Sequence, residues 1–218
     1  CCGLNSIGIG SGGGIGKVTA EWLMTGHINE DIFSYDIKRF QKFHSDLGFI
    51  KKRITETLGD LYGMHWPFKQ HKTSRNIMTN PYHEELKKSG ACFGVSGGYE
   101  RAMWFALNND KPEYEYSYNY QNWYPSAEFE TINTTKNIGL YDLTPFSKFE
   151  LKGENAHEQL QKLCTANVKN EIGKCTYTQM LNPDGGIEAD LTIVCLDRNY
   201  FRIISSAATR ERDKFHIK

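Results

Sequence analysis

The stretch Tyr177-Thr-Gln-Met-Leu-Asn-Pro-Asp-Gly-Gly-Ile-Glu-Ala-Asp190-Leu constrains the fold of this chain more than any other. It reads as strand, Asn/Gly turn, strand, with Ala208-Thr-Arg-Glu-Arg-Asp213 following a short way on. In the second strand Ile187, Ala189, Leu191 and Ile193 alternate with Glu188, Asp190 and Thr192. Successive side chains on a strand point to opposite faces, so the apolar set shares one face and the polar set the other. Such a strand can bury one side and offer Asp190 to a ligand on the other.

At 218 residues the chain has room for one or two domains and a sizeable core. Lys+Arg and Asp+Glu are both 26, and this balance argues against nucleic acid or an anionic membrane surface as partner. The apolar runs are too short to span a bilayer. No signal-peptide pattern opens the chain, which starts Cys1-Cys2 and reads as an internal piece of a longer protein. The six cysteines show neither Cys-x-x-Cys nor a zinc-finger spacing with His. The expectation is no metal site and free, buried thiols in a reducing, cytoplasmic compartment.

Three segments follow one another. Residues 1–26 read as a Gly-rich loop feeding a helix, with Ile15, Val18, Thr19, Trp22 and Leu23 at helical spacing and Gly26 as the stop. Residues 27–118 mix short amphipathic helices with loops. Ile50, Ile54, Leu58 and Leu61 form one stripe, and Asn80-Pro81 opens a short capped helix that ends by Gly90. The aromatic run 114–123 reads as an extended connector that packs the domains together. Residues 119–218 alternate elements: helix 126–136, strand 146–152, helix 154–166, strands 175–181, 187–196 and 200–205, and a last helix from about residue 207. This order predicts an α+β fold.

Two short patterns imitate familiar sites. Gly8-Ile-Gly10-Ser-Gly-Gly13, with Asp36 beyond it, fits a dinucleotide fingerprint, but Cys1-Cys2-Gly3-Leu4-Asn5 is too short and polar for the buried strand that must precede it. The plainer readings are a Gly turn packing a helix, or helix-start N–H groups facing an anionic or polarised atom. Gly94-Val-Ser96-Gly-Gly98 fits a nucleophile elbow, which needs a strand before it and a helix after it. A plain Gly turn is the favoured reading.

Several of these motifs resemble one family, the sarcosine and dimethylglycine dehydrogenases, in which an FAD-dependent oxidoreductase is fused to an aminomethyltransferase of the glycine-cleavage T-protein type. Gly3-Leu-Asn-Ser-Ile-Gly8, Gly14-Ile-Gly-Lys-Val-Thr-Ala-Glu-Trp22 and Asp36-Ile-Lys-Arg-Phe40 are similar to the C-terminal edge of the family's FAD domain. Arg75-Asn-Ile-Met-Thr-Asn-Pro-Tyr-His83 and Gly98-Tyr-Glu-Arg-Ala-Met-Trp-Phe105 resemble its linking domain, with Ala102 in place of a usual Pro. Gly139-Leu-Tyr-Asp142 and Gly173-Lys-Cys-Thr-Tyr177 resemble the folate module. Asp190 matches the second of two Asp positions there; the first is Ala189, and Ser206 replaces a folate-contacting Asn.

The resemblance implies an FAD-domain edge at 1–26, a linking domain at 27–118 and the N-terminal half of a folate-binding domain at 119–218. It implies Asp190 as the catalytic carboxylate, partly desolvated, Tyr177 and Ser206 as tetrahydrofolate contacts, and Asn5, Ser6, Ile7 and Gly8 as FAD contacts. The implied substrate is a small N-methyl amine, sarcosine or dimethylglycine, whose one-carbon unit passes to tetrahydrofolate. An electron-acceptor flavoprotein is the implied partner, and the mitochondrial matrix the implied site in a eukaryote. Two other readings share the architecture: a non-catalytic relative like the regulatory subunit of pyruvate dehydrogenase phosphatase, and a stand-alone folate-dependent demethylase.

Overall fold

The computed structural model describes residues 1–28, 30–108 and 110–218, which form two compact units, Cys1–Arg39 and Phe40–Lys218. In the first unit the expected Gly-rich loop is helix instead. Helix α1 (Gly8–Thr25) takes in Gly8, Gly10, Gly12, Gly13, Gly14 and Gly16. Each interior Gly weakens a helix by about 0.5–1 kcal/mol relative to Ala, so propensity does not explain α1. No residue of α1 is buried, and Leu23 and Met24 lie open to solvent. Gly26 does end it, at φ 80 with its N–H bonded to the Trp22 carbonyl. The dinucleotide fingerprint fails physically: the helix begins at its first Gly, with no strand before it among the described residues. Asp36 closes a local turn by accepting from the Lys38 N–H at 2.8 Å.

Helix α2 (Leu47–Tyr62) opens the second unit after a 3-10 turn at Lys42–Ser45, and Asp46 caps it by accepting from the Phe49 N–H at 2.7 Å. Its apolar stripe, of which only Ile50 is half-buried, does not face a core. Ile54, Leu58 and Leu61 are exposed, while Arg53, Glu56 and Asp60 turn inward. Glu56 accepts from the Lys72 and Thr73 N–H groups at 2.5 and 2.8 Å and from the Thr73 hydroxyl. Arg53 donates to the Thr73 carbonyl. The helix is therefore docked through its polar face.

The predicted short helix is α3 (His83–Lys88), entered through a turn in which the buried Asn80 accepts from the Tyr82 N–H at 2.8 Å. The His83 ring packs against Phe93 at 4.3 Å. A hairpin that the pattern did not announce follows: β1 (Ala91–Ser96) and β2 (Tyr99–Phe105). Gly97 and Gly98 turn it at φ 56 and 87, and a Cβ at Gly97 would run into the Ala207 carbonyl. A strand, not a helix, therefore follows Ser96, which removes the elbow reading. Beneath the hairpin Glu100, 1% exposed, forms a two-point ion pair with Arg75 (2.7 and 2.5 Å). Tyr114, Tyr116 and Trp123 pack ring on ring, and the Tyr116 hydroxyl accepts from the Gln70 N–H at 2.8 Å, so the aromatic run is packing.

Helix α4 (Tyr124–Lys136) leads into a four-stranded antiparallel sheet ordered β3-β6-β5-β4, from β3 (Ser147–Lys152), β4 (Cys175–Leu181), β5 (Ile187–Asp197) and β6 (Tyr200–Ser205). Helix α5 (Ala156–Leu163) precedes β4, and α6 (Arg210–Ile217) follows β6. The alternation in β5 holds from Ala189 onward: Ala189, Leu191, Ile193 and Cys195 are buried, whereas Ile187 is exposed at the turn. They join Leu160, Val168, Met180, Phe201 and Ile203 in one core. The Asn182 side chain holds the β4–β5 turn by accepting from the Asp184 and Gly186 N–H groups at 3.0 and 2.7 Å. All six cysteines are free; Cys92 and Cys195 are buried as expected, but Cys1, Cys2 and Cys175 are exposed.

Candidate folate-type site on the open face of the sheet

The register of β4 and β5 decides which side chains meet. Gln179 pairs with Asp190 and Tyr177 with Thr192, so Tyr177 lies diagonal to Asp190 on the face away from the core. Gln179 Nε2 sits 3.5 Å from Asp190 Oδ1. The Tyr177 phenol donates a hydrogen bond to the Asp190 carboxylate, and because that bond favours the protonated phenol it raises the group above its ordinary value of 10.0. Both side chains are exposed. The partly desolvated carboxylate expected from the sequence is therefore not made by these residues alone; any drying of Asp190 has to come from whatever covers this face.

Tyr177 and Asp190 line an open cavity of about 320 Å³ together with Phe146, Thr192, Ile204, Ser206, Thr209 and Arg212. Three residues expected from the sequence, Asp190, Tyr177 and Ser206, thus share one concavity. The β6 strand and the turn into α6 bring Ser206 there, and its hydroxyl accepts from the Ala208 N–H at 3.3 Å. Just below, Ser147 Oγ donates to the Ser206 carbonyl at 3.1 Å, tying the β3 end to this turn. Asp142 is occupied structurally: it accepts from the Thr144 N–H at 2.9 Å and from the Asn80 amide.

The residues expected near a flavin lie in the other unit. Ser6 has φ 66 and the Ile7 N–H bonds the Leu4 carbonyl at 2.8 Å, so residues 4–7 form a tight turn into α1. Gly8 is the first residue of the helix, whose first-turn N–H groups have no intrahelical acceptor. A helix start of this kind suits the electron-rich edge of a heterocycle.

Sequence reasoning missed Arg212, Thr209 and Asp213. Asp213 is 2% exposed, with Oδ2 accepting from the Thr209 hydroxyl at 2.8 Å. The signal was present as Ala208-Thr-Arg-Glu-Arg-Asp213, but helical spacing alone does not say which side of α6 is buried. A second cavity of about 560 Å³ lies against the Arg75–Glu100 pair, bordered by Asn80, His83, Lys87 and Phe93. A third cluster joins Glu56, Asp60 and His71, with His71 Nδ1 3.4 Å from Asp60 Oδ2. Lys69 already pairs with Asp60 at 2.6 Å and backbone N–H groups fill Glu56, so this is a clamp of α2 onto residues 69–74.

Two family models match the chain. Residues 82–218 match the GCVT N-terminal domain family, and residues 25–79 match the FAD dependent oxidoreductase central domain. Over 99% of its length the chain is 38% identical to a 4-methylaminobutanoate oxidase (formaldehyde-forming) of Paenarthrobacter nicotinovorans, of which it covers 26%. It is 32% identical over 93% of its length to the mitochondrial pyruvate dehydrogenase phosphatase regulatory subunit of Mus musculus, covering 24% of that protein. It is 30% identical over 88% of its length to the mitochondrial sarcosine dehydrogenase of the same animal, again covering 24%. The chain thus spans about a quarter of the length of the curated relatives it matches. No helix among the described residues is long and apolar enough to cross a membrane.

Proposed function

The chain belongs to the GCVT N-terminal domain family, preceded by a stretch of FAD dependent oxidoreductase central domain, and from that premise we propose that it is part of a flavoenzyme that demethylates an N-methyl amine. The one-carbon unit passes to tetrahydrofolate. The carrying observation is the shared cavity of Tyr177, Asp190 and Ser206 on a chain 38% identical to an oxidase of a methylamino acid. In this reading residues 1–26 edge the FAD domain, 27–118 link, and 119–218 begin the folate domain.

FAD, when bound, takes two electrons from the amine and leaves an iminium. This chain's own groups act at either end of that step. The turn of Asn5, Ser6 and Ile7 would lie against the flavin ring edge, and the start of α1 at Gly8 would offer its N–H to it. In the sheet cavity Asp190 accepts a hydrogen bond from the folate ring, steadies the cationic iminium, takes the proton released as the ring nitrogen bonds to the carbon, and returns it to the amine nitrogen as the old C–N bond breaks and the demethylated amine leaves. Tyr177 supplies a flat apolar face and a phenol donor beside it. Ser206, shorter than Asn, reaches the ligand by one hydroxyl. An electron-acceptor flavoprotein would be the partner that receives the electrons.

The test follows amine oxidation and methylene-tetrahydrofolate formation in the polypeptide that carries this chain, with sarcosine, dimethylglycine and 4-methylaminobutanoate as substrates. Asp190→Asn should lower methylene-tetrahydrofolate formation by about 10²–10⁴-fold, the usual weight of a positioned proton acceptor, while formaldehyde appears instead. A second reading, a non-catalytic regulatory subunit, draws on the 32% identity to such a protein and on Ala189 where the family carries an Asp. Wild-type protein that binds neither flavin nor tetrahydrofolate would settle matters for that second reading.

A further inference from the structure

Among the described residues lining the sheet cavity, two carry charge: Asp190 and Arg212. The carboxylate next to Arg212 is unusual. Asp213 is 2% exposed, and only one of its oxygens is hydrogen-bonded, to the Thr209 hydroxyl. The other, Oδ1, receives no hydrogen bond and lies 3.6 Å from Arg212 Nε. A buried carboxylate is costly unless a cation stands beside it. An ordinary surface pair leaves both partners in water, and here only the cation side reaches an opening. The fold thus keeps an anion inside α6 and holds a guanidinium at the cavity wall. Thr209, which fixes the anion, lines the same wall.

A guanidinium carries its N–H donors in a rigid plane and matches flat acceptors edge to edge. Asp190 only accepts. A cavity with an acceptor and a planar donor suits a ring whose edge carries a carbonyl-type oxygen beside N–H groups, as an amide-like pterin edge does. We propose that Arg212 is a ligand-binding residue of this cavity that donates to the ring oxygen while Asp190 accepts from the ring N–H groups. Asp213 and Thr209 are positioning residues that act through Arg212. This assignment rests on the folate reading above and deepens it.

The experiment titrates the flavin-loaded polypeptide that carries this chain with tetrahydrofolate and with tail-less 6-methyltetrahydropterin, by calorimetry. Arg212→Met should weaken both ligands by about tenfold to a hundredfold, as expected for hydrogen bonds from a charged group. Arg212→Lys keeps the charge beside Asp213, guards against a misfolded Met variant, and should weaken both ligands several-fold because the planar fork is lost. Asp213→Asn should weaken both as well, and the double variant with Arg212→Met should add no further loss, the mark of one coupled unit. A purely structural Asp213 would lower the melting temperature and leave both affinities alone. Unchanged affinity in folded Arg212 variants overturns the proposal. Loss of tetrahydrofolate binding with 6-methyltetrahydropterin binding intact also overturns it, since Arg212 would then serve the tail carboxylate. Wild-type protein that binds neither ligand removes the folate reading itself, and this assignment with it.

Discussion

Helix α2 and strand β5 carry equally clear apolar stripes, yet the fold treats them in opposite ways. In β5 the apolar residues Ala189, Leu191, Ile193 and Cys195 go inward and Asp190 goes outward to the open cavity. In α2 the apolar Ile54, Leu58 and Leu61 stay outside, and the polar Arg53 and Glu56 dock the helix on residues 72–74. A periodic stripe tells where a face lies; it does not tell which face the rest of the chain covers. Strand β5 has β4 and β6 beside it and α5 over the core, so burial of apolar area decides. For α2 the neighbour is an irregular segment with unpaired backbone N–H groups, and a carboxylate that satisfies them wins over hydrocarbon contact.

The comparison breaks most sharply at the core end. Ile193→Ala, at a position 1% exposed, should cost about 2–5 kcal/mol by urea unfolding. A cost near zero would mean the sheet face is not the core that holds this unit together. On α2, Glu56→Gln should cost about 1–3 kcal/mol by the same measurement, through its lost charge-assisted hydrogen bonds.

The same residue predicts a pH dependence. Burial alone would raise Glu56, but hydrogen bonds from Lys72 and Thr73 outweigh it and hold the carboxyl at about 2, below its ordinary 4.5. A group depressed in the folded state contributes fully above pH 4.5, loses that contribution as pH falls, and contributes nothing below about 2. Glu56→Gln should therefore flatten part of the acid limb of stability; an unchanged limb would show that the clamp is not formed. The smallest effect belongs to the outward stripe. Leu58→Ser should stay within about 0.5 kcal/mol in the chain as described, since little apolar area leaves contact. A loss of several kcal/mol there would show that α2 is covered in solution.

The sheet was largely legible in the sequence because short-range rules suffice for it. The Asn182-Pro-Asp-Gly-Gly turn sets the register of β4 on β5, and that register brings Tyr177 beside Asp190. The β1–β2 hairpin escaped notice because Gly94 interrupts its alternation and because Gly97 and Gly98 fit a decoy as well as a turn. The Gly-rich opening misled in the other direction. Glycine propensity argues for a loop from Gly8 to Gly16, yet a continuous helix forms there, and nothing lies within 4 Å of a Cβ built at Gly10, Gly12, Gly13 or Gly14. Within the candidate site, Asp190 and Tyr177 could be picked out from a motif, whereas Arg212 and Asp213 could not, because their placement depends on which side of α6 meets β5.

By itself the sequence determined the alternating β5 face, the turn before it, the element order of residues 119–218 and the family to which they point. These follow from interactions between residues near each other along the chain. Only the tertiary structure decided that α2 docks by its polar face, that Asp190 stays exposed, and that a buried Asp213 holds Arg212 at the cavity wall. Those outcomes turn on which distant segment supplies the neighbour, and desolvation is fixed by neighbours rather than by residue type.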